Sequence, residues 1–188
     1  MVVIAIVVVL AGLLFPAVQS VLERAKKVQA KNDLTQIVTA VNAFYTEYGR
    51  YPTTSTSDVT VGSAGSTKSD ALFSELRGGG TINTRQIQFI SPPEDKSQVN
   101  PKGKIGSDGQ FYDPWGSTYN IAIDANYNNV VKAPSYTDLQ TSYTTASDGS
   151  GDVGVRLGVI GWSVGKDGQS GNKGDNKFTG SDDVISWQ

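Results

Sequence analysis

Apolar residues fill the start of the chain without interruption: from Met1 to Val18 no side chain is charged or polar. Charges then arrive together at Glu23, Arg24, Lys26, Lys27, Lys31 and Asp33. Apolar positions return at Val28, Leu34, Ile37, Val38, Val41, Phe44, Tyr45 and Tyr48, and their spacing of three and four predicts that one amphipathic helix continues from the apolar run. Gly49 offers a C-terminal cap and Pro52 cannot extend a helix, so the element ends there. Its apolar half would span roughly 27 Å, close to a bilayer's hydrocarbon core, and is expected to be a single membrane-spanning segment. A signal peptide would need a basic region before the run and a small-residue cleavage site after it. Pro16 and Gly12 are expected to bend or loosen this half.

Beyond the helix the pattern becomes short and turn-rich. Thr53 to Thr67 reads as a surface loop, and Ser69 or Asp70 caps a short helix that Gly78, Gly79 and Gly80 terminate. Strands are predicted at Gln86–Ile90, at Tyr119–Ile123 with Val130 and Val131 as partner, at Val155–Val164 and at Val184–Trp187. Asp113, Pro114, Trp115 and Gly116 make a turn, with Trp115 packed on the long helix or the sheet. Ala133 to Gly151 is polar and aperiodic, an exposed excursion. The fold class is therefore α+β: a long N-terminal helix on a small antiparallel sheet, with residues 1–52 as membrane and assembly helix and residues 53–188 as one globular head.

Charge and composition narrow the chemistry. A net charge of -2 with mixed signs gives no nucleic-acid footprint. Arg24, Lys26 and Lys27 beside the apolar run suit lipid headgroups or a neighbouring subunit's acids. The chain has no cysteine and no histidine, which removes disulfides, thiol nucleophiles, the usual zinc sites and the commonest general base. No GxSxG, SxxK or paired-carboxylate motif stands out, so an enzyme is not expected. The one stretch with ligand chemistry is GKDGQSGNKGDNKFTGSDD. Its Asp167, Asp175, Asp182 and Asp183 are hard oxygen donors, and its glycines let main-chain carbonyls turn inward as calcium requires. The spacing is not that of an EF-hand, and an unliganded Asp/Gly surface loop is the competing reading.

Three separated motifs carry a resemblance. IAIVVVLAGLLFPAVQSVLERAKKVQAKNDLTQIVTAVNAFYTEYGRYPT resembles the N-terminal helix of type IV pilin-like proteins, and its GRYPT ending resembles the major pseudopilin of type II secretion. DPWGSTY is similar to a DPWG-x-x-Y element in that family's head, and SVGKDG with SDDVISW is similar to its calcium loop. The resemblance implies a ladle-shaped subunit whose helices pack as a filament core with the heads outward. It implies calcium held by the side chains of Asp167 and Asp183, a carbonyl near Val164, and Asp175 or Asp182. Implied partners are copies of the chain itself, minor pseudopilins, an inner-membrane assembly platform and membrane lipid before assembly. The implied location is the bacterial inner membrane, single-pass, with the head in the periplasm. The family opens with a basic leader, cut by a prepilin peptidase, and a T-L-I-E-like run containing a glutamate. If Pro16 matches the family's helix proline, both would lie upstream of Met1. The implied function is a structural subunit of a secretion pseudopilus. The alternatives are a type IV pilus subunit for adhesion, motility or DNA uptake, and a membrane-anchored calcium-dependent binding module.

Overall fold

A computed structural model of the chain describes residues 2–65, 67–95 and 101–188, and the side chains from residue 18 onward outside those gaps. Helix α1 runs from Val2 to Tyr48 and ends where expected: Gly49 takes φ 68° and its amide bonds to the Tyr45 carbonyl at 2.8 Å. Among the described residues there follow β1 (Val59–Val61), α2 (Asp70–Leu76), β2 (Asn120–Ile123), β3 (Val131–Lys132), a 3-10 turn (Gln140–Ser142), β4 (Thr144–Thr145), β5 (Val153–Val155), β6 (Val159–Ser163) and β7 (Val184–Ile185). They form a four-stranded antiparallel sheet, β1-β2-β6-β7, and a three-stranded one, β3-β5-β4. The α+β class with a long N-terminal helix thus holds.

The first core forms because one face of α1 meets one face of the larger sheet. Ala30, Leu34, Ile37, Val41 and Phe44 are buried against Ile121, Ile123, Val159 and Val184. Burying each of the larger side chains stabilises the fold by about 2 kcal/mol. At Gly161 an added Cβ would lie 3.0 Å from Leu34 Cδ2, so the helix rests directly on β6. Val28 and Tyr45 fit the same apolar period yet are 70% and 39% exposed, on the side of α1 that the sheet does not reach.

The other face of the larger sheet is buried too. Ala122, Ile160, Trp162 and Ile185 pack with Val131, Tyr136 and Leu139 in a second core. Tyr119–Ile123 is therefore buried on both faces, because the segment after β3 covers the face that α1 does not. That segment is not an exposed excursion, since Tyr136, Leu139 and Ala146 are buried and Thr144–Thr145 is a strand. Val131 pairs with Val155 and not with β2, whose neighbours are β1 and β6. The run Val155–Val164 divides into β5 and β6, and the expected loop Thr53–Thr67 contains β1.

Gln86–Ile90 is not a strand. Phe89 and Ile90 donate their amides to the Leu76 carbonyl, at 2.8 and 3.2 Å, and Asn83 takes the Ile87 amide and carbonyl through its side chain. Its backbone is therefore satisfied by the end of α2, not by a ladder. The organising group is Glu75, 6% exposed, whose carboxylate accepts the amides of Thr81, Ile82 and Asn83 at 2.7 to 3.1 Å. Asn83 in turn accepts the Tyr48 hydroxyl at 2.6 Å, which ties this loop to the end of α1.

The expectation of a single-pass inner-membrane protein is corrected. Among the described residues no helix is long and apolar enough to cross a membrane, because the described side chains of α1 include Glu23, Arg24, Lys26, Lys27, Lys31 and Asp33. The side chains of residues 1–17, including those of Gly12 and Pro16, lie outside the described residues.

Glu75 yields a direct test of this fold. Glu75→Ala leaves buried amides without an acceptor and is expected to cost about 3 kcal/mol in urea unfolding, with Glu75→Gln costing less because one acceptor oxygen remains. A loss below about 1 kcal/mol for the alanine variant would refute the assignment.

Candidate metal centre

The loop between β6 and β7, and β7 after it, are held against α1. Lys27 Nζ donates to the Ser181 carbonyl at 3.0 Å, and Lys31 Nζ donates to the Ile185 carbonyl at 2.8 Å and to that of Gln188. Lys166 Nζ lies 3.7 Å from Glu23 on α1, and the same carboxylate accepts Trp115 Nε1 at 2.9 Å. The indole bond, with Lys26 and Lys166 nearby, holds the Glu23 carboxyl below the usual carboxylate range. Trp115 therefore meets the long helix and is half-buried against the first core.

The Asp113 turn reaches the loop as well. Asp113 is fully buried; its Oδ1 accepts the amides of Trp115, Gly116 and Ser117 at 2.8 to 3.0 Å, and its Oδ2 accepts Ser163 Oγ at 2.6 Å. Ser163 Oγ then accepts the Gly165 amide at 3.1 Å, so the turn sets the first residue of the loop. Gly165 has φ 65°, and a Cβ there would lie 2.7 Å from Asp182, which leaves room for glycine only.

Within this frame Asp167, Asp182 and Asp183 each bring an oxygen within 4.8 Å of the others. Asp182 Oδ2 accepts the amides of Lys166 and Asp167. Asp167 accepts those of Gln169 at 2.9 Å and Lys173 at 2.7 Å. Asp183 Oδ2 accepts the Gly171 amide and the Tyr136 hydroxyl, both at 2.6 Å. Its Oδ1 is buried and has no hydrogen-bond partner. No ion pair joins the triplet to a lysine or arginine among the described residues.

Of the residues the sequence singles out, the structure brings these three together. Asp175 stands outside the triplet, its Oδ1 accepting the amides of Asn172 at 2.8 Å and Lys177 at 2.9 Å, and so braces the loop. Val164 sits at the head of the loop with its side chain in the second core. Two contributors escaped the sequence reading. Tyr136 orients Asp183, and Asp138 accepts the amides of Phe178 and Thr179 at 2.9 and 2.7 Å. Both lie in the polar stretch read as an excursion, where the only signal was an aromatic residue amid polar neighbours.

An all-oxygen set of three carboxylates, one of them with an orphaned buried oxygen, fits a hard cation such as calcium. Compared with protein-family profiles, curated proteins and solved structures, the chain finds no match in any of the three.

Burial pushes the Asp183 carboxyl up to about 6, with Asp182 and Asp167 adding to the rise and the bonds from Tyr136 and Gly171 opposing it. Between the ordinary carboxylate value and 6 the folded chain keeps a proton that the unfolded chain has lost. In chelator, this contribution to stability is full below about pH 4 and is lost as pH rises through 6. A hard cation held here would select the ionised form, and at about a hundred times its dissociation constant would add about 2.7 kcal/mol. Thermal melts across pH 4 to 7.5, with chelator and with calcium, compare the chain with Asp183→Asn. The asparagine is expected to abolish both this pH contribution and the calcium gain, and a calcium gain that survives it would exclude this centre.

Proposed function

We propose that the chain is a pilin-like structural subunit, of the pseudopilin kind found in type II secretion, that polymerises with copies of itself through α1 and carries a calcium-stiffened head. The observation that carries this reading is the second apolar side of α1. Val18, Val21, Leu22 and Val28 are 50% to 70% exposed, and their spacing of three, four and seven sets them on one side of the helix. On the other side of the helix, Ala30, Leu34, Ile37, Val41 and Phe44 are consumed by the head.

A helix apolar on two sides has use for two partners. One is its own sheet, and the natural occupant of the other is the equivalent stripe of a neighbouring copy, since both lose water-exposed apolar area together. The heads would then face outward. The C-terminal loop fits this reading because Lys27 and Lys166 tie it to α1, so an ion bound there would stiffen the junction between helix and head. The work is mechanical: growth of the filament would push folded cargo outward, with energy from an ATPase carried by another protein.

The test is electron microscopy of cells overexpressing the chain from its native gene. The wild type is expected to give filaments, and Val21→Glu with Val28→Glu is expected to abolish them without shifting the head's melting temperature. A wild type that stays monomeric, or filaments that survive the double substitution, would reject the proposal.

A further inference from the structure

At the end of the larger sheet opposite the C-terminal loop lies a second group of acids that the reading above leaves without a role. The antiparallel register pairs Val59 with Ile123, and carried one step further it sets Asp58 beside Asp124. Asp124 is 3% exposed, and its two oxygens accept the amides of Asn128 at 3.0 Å and Asn129 at 2.8 Å. Asp152, at the entry to β5, accepts the side-chain amides of Asn126 at 3.5 Å and Asn128 at 3.1 Å.

Asp58 is the informative member. Each of its carboxylate oxygens exposes less than 1 Å² and neither has a hydrogen-bond partner. The amides of Asn126 and Ala125 ease its charge from nearby without closing a hydrogen bond. Among the described residues no lysine or arginine forms an ion pair with Asp58, Asp124 or Asp152. Carboxylate oxygens shut off from water beside two other acids, with no amide within hydrogen-bond distance and no ion pair among the described residues, are costly unless a cation accompanies them.

We propose that Asp58, Asp124 and Asp152, with the carboxamide oxygens of Asn126 and Asn128, hold a second calcium ion. The donors are all oxygen, as a hard cation requires. Residues 124, 126 and 128 alternate as the first, third and fifth positions of a calcium loop do, and Asn129 takes φ 63° at the sixth, where such loops place glycine. Tyr127 anchors that loop, its ring stacked 5.7 Å from Tyr51, which itself stacks on Tyr45 of α1. The ion would join β1 and β2 of the larger sheet to β5 of the smaller one.

This site is independent of the C-terminal loop and is tested beside it. Calorimetric titration of the full chain with calcium chloride at pH 7.5 is expected to give two ions per chain. Asp58→Asn lowers this to one, Asp183→Asn lowers it to one, and the pair lowers it to none. In chelator Asp58→Asn is expected to melt above the wild type, because it removes an uncompensated charge, and to gain less from calcium. Asp152→Asn repeats the test at the rim of the group. A stoichiometry that neither Asp58→Asn nor Asp152→Asn reduces overturns the second site. A wild type binding one ion, lost only with Asp58→Asn, keeps this site and rejects the C-terminal one.

Discussion

The fold depends on one contact, the laying of the Ala30–Phe44 face of α1 across β2, β6 and β7. Among the described residues no strand exceeds five residues, and such short ladders are marginal without a covering element. The helix supplies that cover on one face of the larger sheet, while Tyr136 and Leu139 supply it on the other. Everything placed around the sheet inherits its position from this contact. The loop after β6 does so most directly, because two of its anchors, Glu23 and Lys27, stand on the same helix.

Buried or half-buried carboxylates then do the local organising. Glu75, Asp113 and Asp124 each accept two or three backbone amides, replacing ladder bonds in segments that have no strand. Such charge-assisted bonds are about twice as strong as neutral ones and keep an irregular backbone satisfied. Two carboxylates break the pattern. Asp183 has one oxygen without a partner and Asp58 has two, and burial pushes each up to about 6. Fully partnered acids read as architecture, whereas these two are the ones on which the proposed cation sites rest.

Much of the frame was legible in the chain. The spacing of Leu34, Ile37, Val41 and Phe44 announced the buried helix face, Gly49 its end, and Asp70–Leu76 the second helix. The Asp and Gly content between Lys166 and Asp183 pointed to the loop where three acids converge. Less legible was any feature whose partner is distant in sequence. QIQFI looked like a strand because its residues suit one, yet α2 and Asn83 capture its backbone first. Tyr136 looked like part of a solvated stretch, although its hydroxyl orients an aspartate 47 residues away. The link of the Asp124–Asn129 stretch to Asp58 exists only across the β1–β2 register.

The sequence by itself determined the long helix, the α+β class and the composition of the C-terminal loop. These follow from local periodicity, capping and side-chain chemistry, all carried within a few consecutive residues. Only the tertiary structure decided which acids meet, which strand pairs with which, and which face of the larger sheet is covered. Those outcomes turn on contacts between residues far apart in the chain, and folding brings such residues together through packing and register that no local pattern encodes.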